Sequence, residues 1–132
     1  MPEYKIQDSG ERQEFKTGAV RDTNTGKGRF DLLPCYALIR LAQLYEAGAN
    51  KYFPRNWERG IPLSRYLDSA MRHLVKFLGG SRDEDHLAAV AWNVLGYIET
   101  EKWIADGVLP KDLDDITPVL ENRRRNIVDD KT

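Results

Sequence analysis

The sequence predicts an all-α protein, a small bundle of about four helices with an extended N-terminal arm and a polar C-terminal tail. Three observations favour this fold class. Apolar residues recur at helical spacing in the middle of the chain, capping residues and glycines bound those segments, and no segment alternates long enough to predict a sheet. We expect a flexible arm over 1–30, a helical core over 31–109 and a tail over 110–132.

The arm is polar and has no hydrophobic periodicity. Its segment 21–29 is rich in Gly, Thr and charged residues, which is typical of an extended loop. By itself the arm is expected to be disordered unless a ligand or a partner chain orders it. Lys27 and Arg29 flank a glycine that permits close approach of an anion, so both are candidate phosphate contacts, although a plain flexible loop is the simpler interpretation.

The first helix is predicted from Asp31 to about Tyr52. Asp31 is a good N-cap residue, and Pro34 is tolerated in a first turn. Apolar residues then follow at helical spacing. The sequence Phe53-Pro54 predicts the end of the helix, because the residue before a proline avoids the α region.

The next two helices are predicted to form a hairpin. One begins at Ser64, has an apolar face and stops at the glycine pair 79–80. The other opens with Ser81-Arg-Asp-Glu84, a capping-box pattern, and ends near 106–107. Its apolar residues point in nearly every direction, which is typical of a helix buried in the middle of a fold. A short helical turn is predicted over 111–116, followed by a solvated end that includes the arginine run 123–125.

Size and composition exclude several classes of protein. The 132 residues fit one domain, and 41% hydrophobic residues provide only a small core, so we expect a homo-oligomer, a dimer or tetramer. The 20 basic and 21 acidic residues give a net charge of -1, which argues against binding of a nucleic acid polymer. The single cysteine excludes an internal disulfide. Neither a membrane-spanning run nor a signal peptide is evident, so we expect a cytoplasmic protein.

Polar side chains gather where the predicted hairpin turns. Glu84, Asp85 and His86 lie together at the start of the central helix, and carboxylate and imidazole groups suit a divalent ion. Capping explains Glu84 equally well. His73 lies on the apolar face of the preceding helix, beside Arg72. Because an antiparallel hairpin brings the end of one helix near the start of the next, His73 and His86 can face one site, although His73 also fits an ordinary core position.

Two further groups are candidate substrate contacts. Asn93 lies two helical turns after His86, on the same face, and a buried amide needs a partner, either a ligand or another helix. The segment Lys51-Tyr-Phe-Pro-Arg-Asn-Trp57, which includes Asn56, supplies cations, an amide and aromatic faces within one helix end and loop. Cations neutralise phosphate, rings stack on bases and Asn pairs with base edges. An ordinary surface loop with Trp57 as a hydrophobic plug is the alternative.

Taken together, these segments resemble a phage protein family, the N-terminal domain of dATP/dGTP diphosphohydrolases. The resemblance extends over roughly residues 18 to 104, and the order and spacing of the matching stretches are fairly specific. These stretches are Gly26-Lys-Gly-Arg-Phe-Asp-Leu-Leu-Pro34, Gly48-Ala-Asn-Lys-Tyr52, Asn56-Trp57, Arg72-His-Leu74 and Asp85-His-Leu-Ala-Ala-Val-Ala-Trp-Asn93.

The resemblance implies an all-α nucleoside triphosphate pyrophosphohydrolase of the MazG type. Such an enzyme would need Mg²⁺ or Mn²⁺ and would convert purine deoxynucleoside triphosphates to monophosphate and pyrophosphate. It would reshape a nucleotide pool during infection, in the host cytoplasm if the chain is phage-encoded. The MazG type carries Glu-x-x-Glu on one helix and Glu-x-x-Asp on another, whereas this chain has Glu-x-x-Glu only at Glu11 and Glu14, in the arm.

Because that motif is missing from the helical core, the candidate residues are chosen here because metal-competent side chains cluster in the sequence. The catalytic candidates are His73, as a general base or a donor to phosphate, together with Glu84, Asp85 and His86. The metal candidates are the last three and Glu46. A different class, a non-catalytic nucleotide-binding protein or a small phage helical adaptor, would use the polar helix ends as caps and the arm to clasp a partner. The predicted substrate contacts are Lys27, Arg29, Lys51, Asn56, Trp57, Arg72 and Asn93.

Overall fold

The computed structural model describes residues 3–129 and consists of two compact units, the first ending at Pro34 and the second beginning at Cys35. The described part of the second unit is built from α-helices and short 3-10 turns, so the predicted all-α bundle is confirmed. The turns are Asn56–Arg59 and Lys111–Leu113. The helices are α1 (Cys35–Lys51), α2 (Leu63–Leu78), α3 (His86–Ala105) and α4 (Thr117–Asp129).

The N-terminal unit contains a β-hairpin that the sequence pattern does not predict. Strand β1 (Arg12–Glu14) pairs antiparallel with β2 (Val20–Asp22). Gly18, with a φ of +87°, turns the chain between them and donates its N–H to the carbonyl of Phe15 at 2.9 Å. Strands of three residues are too short for alternation to stand out, which is why a loop was expected here.

The predicted start of the first helix is wrong. Asp31 does not cap α1, because it lies in a 3-10 turn, Phe30–Leu32, and α1 begins only at Cys35. The Asp31 carboxylate instead accepts two hydrogen bonds from the Arg29 guanidinium, both at 2.8 Å. The end of α1 at Lys51 agrees with the prediction to within one residue.

The predicted capping box before α3 is also wrong. The helix begins at His86, and its N-cap is Asp85, whose carboxylate accepts the N–H of Ala88 at 3.2 Å. Ser81 and Glu84 therefore lie in the loop before the helix rather than in its first turn. The shift of the helix start removes the capping explanation of Glu84 and leaves its carboxylate available for another role.

The start of α2 is stabilised by a residue far away in the chain. Ser64 does not act as the N-cap, since the helix already begins at Leu63. Instead, Asp115 accepts the Ser64 N–H at 2.9 Å and the Ser64 hydroxyl at 2.5 Å. The carboxylate thus satisfies one of the backbone donors that every helix leaves unpaired at its N-terminus.

Replacing Asp115 by alanine is expected to lower the free energy of unfolding by about 1 kcal/mol, the usual effect of losing an N-cap carboxylate. The hydrogen bonds from Ser64 hold the pKa of Asp115 below its ordinary value, so the stabilisation is present at neutral pH and is lost as the pH falls through that lowered pKa. Urea denaturation at neutral and acidic pH measures both effects, with Asp112→Ala as the control. Equal stabilities at neutral pH would contradict the assignment.

α2 and α3 form an antiparallel hairpin that contains most of the buried side chains. Tyr66 of α2 is 1% exposed and packs against Gly96 of α3, and its hydroxyl accepts a hydrogen bond from Thr100 at 3.4 Å. α1 packs along α3, where the rings of Tyr45 and Trp92 are 5.9 Å apart. None of the helices within residues 3–129 has the length and apolar character needed to cross a membrane.

The expectation that α3 is buried on all sides is wrong for this chain by itself. α1 and α2 cover one side of the helix, which carries its buried residues, and the opposite side remains partly open to solvent. The apolar side chains on the open side are between 40% and 55% exposed: Leu87, Val94, Leu95 and Ile98.

The C-terminal segment contains more structure than the predicted polar tail. The expected helical turn is present as Lys111–Leu113, and α4 follows it. Asp114 caps α4 by accepting the N–H of Thr117 at 2.9 Å. The arginine run 123–125 lies exposed on this helix, and residue 130, also assigned to the solvated end, lies outside the described residues. Because α4 is mostly polar, its pattern resembles that of a solvated coil.

Candidate active site

The second unit contains a cleft of about 840 Å³, a volume typical of small-molecule sites. α1, α2, α3 and the 3-10 turn after α1 all contribute to its walls. The structure therefore brings together residues that the sequence places in four separate segments. The predicted site residues that line the cleft are Lys51, Asn56, Trp57, Arg72, His73, Glu84 and Asn93.

Two histidines and a glutamate form a three-donor cluster, of which His73 and Glu84 line the cleft and His86 lies buried behind them. The Nδ1 atoms of His73 and His86 are 2.9 Å apart, and each of the three residues offers a ligand atom within 4.8 Å of the other two. His73 is partly buried, Glu84 is exposed and His86 is buried. The structure therefore confirms the prediction that the two histidines meet at the turn of the hairpin.

His86 is held from its other side by Asp83, a residue that the sequence pattern did not single out. The His86 Nε2 atom is 2.7 Å from Oδ1 of Asp83, and the same oxygen accepts the hydroxyl of Ser81 at 2.6 Å. These two hydrogen bonds lower the pKa of Asp83 to about 2. Asp83 precedes His86 by three residues, a spacing that suits a local contact.

Asp85 and Glu46 do not belong to the three-donor cluster. The Asp85 carboxylate faces α1, where it accepts a hydrogen bond from Nε of Arg40 at 2.9 Å and forms a second contact with Nη2 of the same guanidinium. This pairing lowers the pKa of Asp85. Glu46 is exposed on α1. The predicted ligand set of Glu46, Glu84, Asp85 and His86 is thus replaced by His73, Glu84 and His86 as the group of donors that lie together.

Several cations line the cleft. Arg72 forms an ion pair with Asp68 one turn earlier on α2, at 2.7 Å, and Lys51 lies 5.1 Å above the ring of Tyr52. Arg55, which belongs to the predicted segment from Lys51 to Trp57, lines the cleft as well, and so does Arg65, which no sequence pattern marks. The walls of the cleft therefore carry positive charge from three elements, α1, α2 and the loop after α1.

The other two predicted phosphate contacts belong to the N-terminal unit. There, Lys27 forms an ion pair with Asp22 at 2.7 Å, and Arg29 pairs with Asp31. Both cations thus have acidic partners within their own unit.

The aromatic residues divide into two groups. Trp57 stacks on Trp103 with ring centroids 5.4 Å apart and an interplanar angle of 14°, so one of its faces is used for packing, as the plug alternative expects. Tyr45, Trp92 and Tyr66 form a chain of tilted ring contacts at the cleft, with centroid distances of 5.9 and 6.0 Å. No short motif marks this second group, because its members come from three helices.

Asn93 is buried at the cleft and donates a hydrogen bond from its amide to the carbonyl of Ala89 at 2.8 Å. Ala89 belongs to the same helix, so one donor of the amide is satisfied without a second helix. The amide is thus fixed in orientation at the wall of the cleft.

The cluster has the donor chemistry of a transition-metal site. Two imidazoles and one carboxylate suit Mn²⁺ and similar first-row ions, whereas Mg²⁺ prefers oxygen ligands alone. Burial lowers the pKa of His73, which favours the neutral imidazole that a metal ion requires. The residues present therefore fit a divalent ion, and they fit Mn²⁺ better than Mg²⁺.

Comparison with known proteins agrees with the resemblance seen in the sequence. Residues 17–106 match the family described as dATP/dGTP diphosphohydrolase, N-terminal. This match includes α1, α2 and the whole three-donor cluster. No curated protein and no solved structure matches the chain. Because the matched segment covers more than half of the 132 residues, the chain belongs to the dATP/dGTP diphosphohydrolase N-terminal domain family.

Proposed function

We propose that the cleft binds a purine deoxynucleoside triphosphate and hydrolyses the bond between its α- and β-phosphates, releasing monophosphate and pyrophosphate. The observation that carries this proposal is the presence of His73, Glu84 and the cation Arg72 in the walls of one cleft of suitable size. The description of the family, which names dATP and dGTP, supports the same substrate class. In infected cells such an activity would change the purine nucleotide pool.

The charge and shape of the cleft support a triphosphate ligand. Lys51, Arg55, Arg65 and Arg72 can neutralise the phosphate chain through charge-assisted hydrogen bonds. The rings at the cleft can cover a base, and the amides of Asn56 and Asn93 are candidate contacts for the base or the sugar. Of these contacts, the cations would contribute most to affinity because the substrate is highly negative.

The catalytic part of the proposal rests on the three-donor cluster. His73, Glu84 and His86 would hold a divalent cation beside Arg72, where the phosphates of the substrate would bind. When bound there, the cation would neutralise phosphate charge and lower the pKa of a water molecule. His73 is neutral at pH 7 because burial lowers its pKa, so it can offer a lone pair to a ligand or accept a proton. Arg72, its neighbour in the sequence, would hold the departing phosphates.

Product analysis tests the proposal. The protein is incubated with each deoxynucleoside triphosphate in the presence of Mn²⁺ or Mg²⁺, and the products are separated by chromatography. We expect dGMP or dAMP together with an equal amount of pyrophosphate, and faster turnover with Mn²⁺. Thermal stabilisation by dGTP without any product would favour the alternative, a non-catalytic nucleotide-binding or adaptor protein.

We also propose that the chain forms a homo-oligomer through the open side of the α2–α3 hairpin. A helix as apolar as α3 is normally covered all round, yet much of this surface is exposed in the single chain. Light scattering after size-exclusion chromatography should give a dimer or tetramer of the 15.2 kDa chain. Ile98→Asp should lower that mass while Lys76→Asp leaves it unchanged, and a monomeric wild-type protein would contradict the proposal. The most exposed apolar residues on α2 are Met71, Val75 and Leu78.

A further inference from the structure

We propose that Asp83 is a positioning residue that fixes His86 in the tautomer protonated on Nε2, so that the Nδ1 lone pair of His86 faces His73. The inference rests on the proposed function only where it predicts metal binding, since the tautomer itself is a property of the metal-free chain. It assigns a role to an aspartate outside the three-donor cluster. The resulting order of hydrogen bonds runs from His73 through His86 to Asp83.

The contact between Asp83 and His86 determines where the proton lies. Oδ1 of Asp83 is 2.7 Å from Nε2 of His86, a short distance for a hydrogen bond. An ionised carboxylate can only accept hydrogen bonds, so Nε2 must be the donor. The Asp83 side chain is mostly exposed to solvent, and an exposed aspartate is ionised near neutral pH.

The tautomer of His86 determines which nitrogen of His73 carries its proton. A neutral imidazole with its proton on Nε2 has only a lone pair on Nδ1. Since the Nδ1 atoms of the two rings are 2.9 Å apart, a neutral His86 in this tautomer accepts the Nδ1 proton of His73 in the metal-free protein. Binding of one cation by both Nδ1 atoms would require His73 to give up that proton and to carry its proton on Nε2 instead. His86 is already in the ligand-ready tautomer.

The burial of His86 makes its ring depend on Asp83 for a hydrogen-bond acceptor at Nε2. The side chain of His86 is completely covered, whereas that of Asp83 is 69% exposed, so solvent reaches the carboxylate but not the imidazole. Without an acceptor at Nε2, the buried ring would lose its bias toward this tautomer. The hydroxyl of Ser81 lies 3.2 Å from Nε2 and is the one side chain in this contact that can partly replace Asp83.

The test combines a tautomer measurement with a metal titration. The chain has only two histidines, so nitrogen-15 NMR of the labelled metal-free protein resolves both rings. We expect His86 to be protonated on Nε2 in the wild type and to lose most of this preference in Asp83→Ala. The affinity for Mn²⁺, followed by electron paramagnetic resonance, should fall about 10–100-fold in the same variant.

Matched variants separate positioning from a general structural effect. Asp83→Asn keeps an oxygen acceptor and should retain most of the tautomer bias and affinity, which also preserves the test if Asp83→Ala unfolds. Ser81→Ala in the Asp83→Ala background should remove the remaining bias. Asp106→Ala removes an exposed aspartate after the other end of α3 and should change neither readout.

Failure of the positioning role and failure of the proposed metal site would give different experimental results. An unchanged His86 tautomer together with unchanged Mn²⁺ affinity in Asp83→Ala would overturn the positioning role. A wild-type protein that binds no Mn²⁺ would overturn the metal step of the proposed function, and the tautomer measurement alone would then decide the role of Asp83.

Discussion

Replacing His73 by alanine is expected to lower kcat/KM for dGTP by about 10²–10⁴-fold, the range for losing a group that transfers protons or holds charge at a reacting centre. His73 is the member of the three-donor cluster that lies on α2, the helix whose Arg65 and Arg72 also line the cleft. Its Nδ1 atom lies 2.9 Å from that of His86. Its removal deletes a nitrogen donor and leaves Nδ1 of His86 without its partner. Steady-state kinetics with Mn²⁺ measure the loss.

The control for this variant is Lys76→Ala. Lys76 lies on the same helix but is exposed and does not line the cleft, so its removal should change kcat/KM little. Circular dichroism must show the same helical content in both variants. Normal turnover in His73→Ala would remove His73 from the mechanism and leave Glu84 and His86 without a third donor.

Replacing Gly96 by alanine should destabilise the fold by about 1–3 kcal/mol, even though alanine favours a helix over glycine by about 1 kcal/mol. A Cβ atom on Gly96 would overlap the ring of Tyr66 and would lie 3.0 and 3.1 Å from two further ring atoms. Tyr66 is 1% exposed and cannot move outward without opening the α2–α3 hairpin. Urea denaturation measures the change in the free energy of unfolding.

Gly48→Ala is the matched control, because this glycine also lies in a helix and an added Cβ would meet no atom within 4 Å. Its expected effect has the opposite sign, a gain of up to about 1 kcal/mol from helix propensity. If Gly96→Ala were as stable as Gly48→Ala, the close packing of α2 on α3 at Tyr66 would be wrong.

Local patterns were sufficient to predict the helices that carry the site. Periodicity and breaking residues placed α1, α2 and α3 to within a few residues, and hairpin geometry predicted that His73 and His86 meet. The polar helix α4 lacked an apolar face, so its pattern resembled a tail. Where a motif had two physical interpretations, as for Glu84, only the start of the folded helix showed that the residue does not cap it.

Partners that are distant in sequence could not be predicted in this way. Arg40 pairs with Asp85 across 45 residues. This pairing directs the Asp85 carboxylate toward α1 and away from the three-donor cluster, although the sequence had suggested Asp85 as a ligand. Ser64 finds its acceptor in Asp115, 51 residues later. Such contacts depend on how helices pack, and periodicity within one helix carries no information about them.

We expect one cation and a purine nucleotide to share the cleft. A crystal structure with Mn²⁺ and a dGTP analogue that has an uncleavable α–β bridge tests it most directly, because manganese is located by its anomalous scattering. We predict one manganese peak between His73, Glu84 and His86, with the phosphates of the analogue beside Arg72. Manganese bound at other residues, or a nucleotide on a different face of the chain, would contradict this claim.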